Sequence, residues 1–380
     1  MPRSLCFVKT EQYLGNLLDQ ISRIKAREKL KQSIHYTITK NKCMKTIKQV
    51  IGIDVSKDTF HVCLGSIDEA QSIKVLKQSS FTNNEKGFKQ LLSWKHKDLE
   101  PNLPLCYVME ATGVYYENLA YFLSEKGENL SVLLPNKSKS FARSLDIKTK
   151  TDKVDAAMLC IGLERVLPLW KIPTVLMKQI KGLCREYKSL KASGSRIKAR
   201  LHAYKHSYKP EKRTISRLKQ QLTLLEKQIV MVEKEIRSYI STDEALQKQI
   251  DNIQQVKGLS LITIITVIAE TNGFASITNA KQLVSYSGLD ITMNQSGKLN
   301  GRTKISKKGN RHIRSALYLP AMSAVRYNIR LKQFYETIMQ KHTCGKVGIV
   351  AVARKMLILI YTLWKKDTIY DPMLNVQKMN

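Results

Sequence analysis

Acidic residues are scarce in this chain: 31 Asp+Glu stand against 64 Lys+Arg over 380 residues, a formal net charge of +33. That imbalance excludes an ordinary near-neutral surface. It points to a polyanionic partner, nucleic acid first and an anionic membrane surface second. The seven cysteines, at 6, 43, 63, 106, 160, 184 and 344, are odd in number and include no C-x-x-C. They argue against a disulfide framework and a zinc site, and fit a reducing cytoplasm. Long apolar runs are missing too. Residues 261–269 are too few to cross a bilayer, and 347–364 are interrupted by Arg354 and Lys355. No N-terminal segment combines a basic flank, an apolar core and a small-residue cleavage site. A cytoplasmic chain with no membrane partner is expected. Neither G-x-G-x-x-G nor G-x-x-x-x-G-K-[ST] occurs, which argues against an ATP-driven machine. The histidines (35, 61, 96, 202, 206, 312, 342) form no metal-ligand spacing and read as surface or nucleic-acid-facing residues.

What is present is enough for real cores: 43% of residues are hydrophobic, and the length suits two or three domains. The charge is unevenly spread. Residues 1–46 carry 10 basic and 3 acidic groups, and 47–166 carry 16 and 15. Residues 167–250 carry 19 and 7, and 251–380 carry 19 and 6. One segment keeps its carboxylates while its surroundings are strongly basic. Metal binding explains that, and so does an ordinary mixed surface.

The pattern divides the chain into a basic N-terminal extension (1–46), an α/β segment (47–166), a helical segment (167–250), a second helical segment with a loop-rich middle (251–372) and a short tail (373–380). In the α/β segment, residues 50–55 and 60–66 read as strands joined by a tight turn, and 73–81 as a third. A helix follows over 84–94 with Asn83 or Asn84 as its cap, then a strand over 105–110 and a helix over 116–126. A strand over 130–134 ends at Pro135, and 151–166 reads as a helix. Beyond it, apolar residues run from Leu176 to Tyr204 at 4-3 spacing. After Lys209-Pro210, Ile215, Leu218, Leu222, Leu225, Ile229, Val232 and Ile236 continue at 3-4 spacing. This reads as a coiled-coil seam, either folded back as a hairpin or paired between protomers of a dimer or tetramer. Helices are expected again over 261–270, 278–286, 311–326, 331–340 and 347–365, with polar residues over 290–308.

Four carboxylates stand at element boundaries. Asp54 lies where an apolar strand meets a turn, Glu110 ends another strand, and Asp152 and Asp155 share one face at a helix start. Gathered at one sheet edge they would repel, and two divalent cations such as Mg²⁺ would resolve that repulsion and serve phosphoryl transfer. Separately, Asp152 reads as a helix cap, Asp54 as a turn former and Glu110 as an exposed strand end. Residues 291–335 hold ten basic side chains and no acidic one. Lys298, Arg302, Lys304, Lys307, Lys308, Arg311 and Arg314 among them suit phosphate contact. Ser296 in Gln295-Ser296-Gly297-Lys298 is a candidate nucleophile toward phosphate.

Taken in order, these pieces resemble the DEDD transposase/recombinase family of bacterial insertion sequences (the insertion-sequence one-ten family), which includes the Piv-type DNA invertases. The resemblance runs from Ile47 to Asp371. It rests on Ile51-Gly52-Ile53-Asp54-Val55-Ser56-Lys57, Met109-Glu110-Ala111-Thr112-Gly113, Lys150-Thr151-Asp152-Lys153-Val154-Asp155, and Gln295-Ser296-Gly297-Lys298. Ile305 to Asn310 and Arg314 to Leu317 complete it. It implies an α/β RNase H-like (RuvC-like) domain, then a coiled-coil segment and a mostly α-helical C-terminal transposase domain. It implies Asp54, Glu110, Asp152 and Asp155 as Mg²⁺ ligands and Ser296 as a nucleophile that joins covalently to DNA, in a composite site. Donor and target DNA, and a structured guide RNA, are the implied partners. A hydrolytic RuvC-like nuclease or junction resolvase, needing the carboxylates but not the serine, is the alternative. A binding protein with a degenerate site is a further one.

Overall fold

The expected alternation of strands and helices over 47–166 is present. The structure, a computed structural model, describes residues 45–95, 99–100, 102–144, 151–162, 164–293, 295–296, 299–301 and 303–371. Residues 1–44 of the basic extension, the tail from 373, Lys298 and Arg302 lie outside the described residues. The chain divides into two units, Met1–Trp170 and Lys171–Asn380.

The first unit holds one five-stranded mixed sheet. β1 (Thr46–Val55) pairs antiparallel with β2 (Thr59–Asp68), and β2 with β3 (Ile73–Thr82). On its other side β1 runs parallel to β4 (Leu105–Glu110), which runs parallel to β5 (Leu130–Leu133). The strand order is therefore β3-β2-β1-β4-β5. The β1–β2 turn is closed by Ser56, whose Oγ donates to the Thr59 carbonyl at 2.6 Å.

Both faces of the sheet are covered, and strand alternation assigns the side chains. Ile51, Ile53, Tyr107 and Met109 face one way and join Phe88 and Leu91 of α1 (Glu85–Lys95) and Leu119 and Leu123 of α2 (Glu117–Glu125). Val50, Cys63 and Val108 face the other way, against Phe141 of α3 (Pro135–Ser144) and Ala156 of α4 (Asp152–Met158). Asn84 caps α1, its Oδ1 accepting from the Gly87 N–H at 3.0 Å. Pro135 ends β5 as expected but also opens α3. Its fixed φ and missing N–H suit the first helical position, a use of proline the sequence reading did not make. The helix expected over 151–166 stops at Met158 and tightens into a 3-10 turn, Leu159–Gly162. There Leu159 and Cys160 are drawn under the sheet, where Gly52 leaves room.

The second unit is mostly helical. α5 (Val175–Lys205) and α6 (Lys212–Ser241) fold back on each other through Lys209, at φ 45°. Gly194 lets Leu222 approach to 4.0 Å of where a Cβ would stand, and Lys198 pairs with Glu226 at 3.2 Å. Of the two expectations for the 3-4 spacing, the hairpin within one chain is observed. A regular coiled coil is not established. Ile229, Val232, Ile236 and Ile240 are buried, but Leu222 and Leu225 only half so. A helix packed on a globular core needs the same apolar spacing as a coiled-coil strand, so periodicity alone could not separate them.

α7 (Glu244–Gln254) crosses position 250, where the sequence reading divided the segments. Ile180 and Cys184 of α5 share one core with Ile250 of α7, α8 (Leu261–Glu270) and α9 (Ala280–Ser287). α9 ends at Gly288, at φ 68°. Short antiparallel pairs follow in the expected polar region: β6 (Ile291–Thr292) with β9 (Lys304–Ile305), and β7 (Gln295–Ser296) with β8 (Leu299–Asn300). α10 (Arg311–Tyr327), α11 (Ile329–Met339) and α12 (Gly345–Lys366) complete the unit. By length and composition α12 could cross a membrane, but Val352, Met356, Leu357 and Ile360 are buried in this core.

Candidate active site

Two carboxylates stand where β1 and β4 end side by side, and two more at the start of α4 lie close enough to act on one of them. Ile53 is in register with Met109, so Asp54 and Glu110 come next on neighbouring parallel strands. Asp54 shares its face with Val50, and Glu110 with Val108; both are on the α4 side of the sheet. The carboxyl ends of parallel strands are where open α/β sheets bind ligands. Thr151 caps α4, its Oγ1 accepting from the Val154 N–H at 3.3 Å. Asp152 is therefore inside the first turn and not the cap, with Asp155 one turn on. Asp54 lies within β1 opposite His61, so it is not a turn former.

The electrostatics register this gathering. Burial, then the carboxylates of Asp155, Asp152 and Glu110, push the Asp54 carboxyl up to about 6 from 3.8, and the His61 imidazole works against them. One end of His61, Nδ1, lies 3.6 Å from Asp152 Oδ2. Glu110 is held by Ser138 of α3, whose hydroxyl donates to Oε2, and by Thr112, whose hydroxyl donates to Oε1 at 3.4 Å. Sequence reasoning missed His61 and Ser138. Hairpin register contained the signal for His61, since Val55 opposite Phe60 places Asp54 opposite His61. Nothing in the sequence marked Ser138, because α3 itself went unrecognised.

A set of oxygen donors carrying this much negative charge suits a hard divalent cation. Among the described residues no three His, Cys, Asp or Glu side chains are close enough to hold one. The donor chemistry thus fits magnesium, while the side chains stand further apart than ligands around one ion.

Ser296 lies in β7, apart in sequence from the carboxylates and in the other unit. Lys304, Lys307, Lys308 and Arg311 are exposed, as phosphate contacts need to be. Arg314 is turned inward, its Nη1 donating to the Ser287 carbonyl at 2.6 Å.

Known proteins give this arrangement its class. A DEDD-type transposase model of the IS110 kind matches residues 51–210. The model described as "Transposase IS116/IS110/IS902 family" matches residues 250–336. The pilin gene-inverting protein of Moraxella bovis is 29% identical over 336 residues, 85% of this chain and 98% of its own. The transposase for insertion sequence element IS1111A of Coxiella burnetii is 23% identical over 366 residues, 87% and 93% of the two chains. Among solved structures, T. thermophilus RuvC in complex with a Holliday junction substrate aligns at 12% identity. It covers 32% of this chain and 99% of that one, with a TM-score of 0.24. The chain is an enzyme of the DNA transposase and recombinase class. It belongs to the IS110 family of insertion-sequence transposases.

Proposed function

We propose that this enzyme cuts and rejoins DNA strands at the ends of an insertion sequence, using the four carboxylates and Ser296. The observation that carries the reading is the placing of Asp54 and Glu110 at the ends of neighbouring parallel strands, with Asp152 and Asp155 near enough that they, with burial, push the Asp54 carboxyl up to about 6. A site that forces like charges together in this way is built for a cation and for phosphoryl chemistry.

Asp54, Glu110, Asp152 and Asp155 would hold magnesium. Bound there, such a cation would supply positive charge for activating an attacking oxygen and stabilising a leaving one. Ser138 and Thr112 orient the Glu110 carboxylate, and His61 sits where it can hold or move a proton beside Asp152. The Ser296 oxygen attacks a DNA phosphate, forming a serine phosphodiester and releasing the hydroxyl of the strand end. A hydroxyl from another strand end then displaces the serine, so the number of phosphodiester bonds is conserved and no nucleotide cofactor is needed. The basic surface supplies grip on donor and target DNA, and a structured guide RNA accounts for target choice. Assembly as a dimer or tetramer belongs to the same reading.

The test is recombination between donor and target plasmids carrying the element's flanking sequence. Asp54→Ala and Ser296→Ala should each abolish it, and wild type should give a protein–DNA adduct on a denaturing gel. Wild-type recombination by both variants would refute the mechanism. Cutting by Ser296→Ala with no adduct from wild type would identify a hydrolytic nuclease.

A further inference from the structure

Glu270, the last residue of α8, is a buried carboxylate that the proposed chemistry does not use. Its side chain is 1% exposed. Arg185 grips both oxygens, with Nε to Oε1 at 2.7 Å and Nη2 to Oε2 at 3.0 Å. Asn310 Nδ2 donates to Oε2 at 2.8 Å, and Lys181 Nζ lies 3.9 Å away. Burial pushes this carboxyl up, but the Arg185 and Asn310 hydrogen bonds outweigh it and hold Glu270 below the usual range. Asn310 also caps α10, its Oδ1 accepting from the N–H groups of His312 and Ile313 at 2.8 and 3.3 Å. One carboxylate thus ties α5, α8 and the start of α10 together.

The cations around it exceed what it can neutralise. Lys188, three residues beyond Arg185 on α5, donates to Ser315 Oγ of α10. Burial and the nearby Arg311 push its ammonium down, with Glu270 working the opposite way and Arg185 and Arg314 adding to the repulsion. Arg311 is exposed at the first position of α10. Arg314 is committed to Ser287 and Glu270 to Arg185 and Asn310, so among the described residues neither Lys188 nor Arg311 has a direct ion pair, although Glu270 offsets part of the Lys188 charge from a distance. The start of α10 adds its own partial positive charge. In the same turn the buried His312 Nδ1 has no hydrogen-bond partner. Cations spread along two helices match consecutive phosphates of a nucleic-acid backbone better than one compact anion.

We propose that Lys188 and Arg311, held in register by the buried Glu270, form a backbone-phosphate clamp across α5 and α10. This rests on the reading of the chain as a nucleic-acid enzyme and adds Lys188 and Glu270 to it. Glu270 acts as a positioning residue.

The test uses the full chain without magnesium, with a fixed-length DNA duplex and an RNA duplex of the same sequence as probes. Binding constants are measured across a salt series. Each lost phosphate contact lowers the slope of log affinity against log salt by about 0.9 on duplex DNA. Lys188→Gln with Arg311→Gln should therefore lower it by about 2, equally for unrelated sequences. A fall on DNA, RNA or both supports the clamp and names its source, while an unchanged slope on both overturns it. Absence of salt-dependent binding by the parent chain would overturn the functional reading as well. Glu270→Gln separates position from charge. It makes the surface more positive, so tighter binding would overturn the positioning role, whereas several-fold weaker binding with a cooperative melt retained is expected.

Discussion

A methyl group on Gly52 would stand 2.2 Å from the Ala156 carbonyl oxygen and 2.9 Å from the Cys160 amide nitrogen. This bare contact between β1 and α4 sets the distance from Asp54 to Asp152 and Asp155. Gly52→Ala should push α4 off the sheet, at about 1–3 kcal/mol of stability, as overpacking typically costs. Urea denaturation reads the loss, and recombination should fall further than stability alone explains. A variant of wild-type stability and activity would show that the contact is not limiting.

The raised Asp54 carboxyl makes the site a source of instability. Its folded pKa of about 6 exceeds 3.8, so the fold prefers the protonated form. Stability should therefore fall as pH rises from about 4 to 6, then level off for this group. Asp54→Asn should stabilise the metal-free protein at pH 7 by about 1–3 kcal/mol after solvent screening. The same variant should flatten the pH dependence between 4 and 6. Thermal melts across that range check both.

Magnesium should reverse this cost. Binding to the folded state alone raises stability with the logarithm of ligand concentration. Wild-type Tm should climb with millimolar magnesium, and the climb should be much reduced in Asp54→Asn. Equal shifts in both would place the ion elsewhere.

Glu270 behaves oppositely to Asp54. Its folded pKa is held below 4.5, so its contribution is present above that value and lost as pH falls through the folded pKa. Wild type should lose more Tm between pH 6 and 3 than Glu270→Gln, which starts lower and has less to lose. The comparison is made by differential scanning calorimetry.

Local features were legible because they are written in short spans of chain. Ser56 marks the hairpin turn, Asn84 the start of α1, and Gly288 the end of α9. The sequence motifs also singled out Asp54, Glu110, Asp152 and Asp155. The spacing rules could not reveal α3, whose polar sequence has one buried anchor, Phe141, and no periodic stripe. They also could not anticipate His61 beside Asp152, because that proximity joins β2 to a helix about ninety residues later.

The sequence by itself determined the charge balance, the order of the strands in the first unit, and the residue types able to bind cation and phosphate. These depend on composition and neighbours along the chain. Tertiary structure decided the rest: that Asp54 and Glu110 end adjacent parallel strands, that α4 brings Asp152 and Asp155 to the same face, and that the apolar spacing of α5 and α6 closes a hairpin. It also decided that Glu270, one acid in an apolar helix, gathers Arg185 and Asn310. Burial creates this last distinction. In water an isolated carboxylate needs no partner, but once folded away from water it must be paired, and only the packing decides with what.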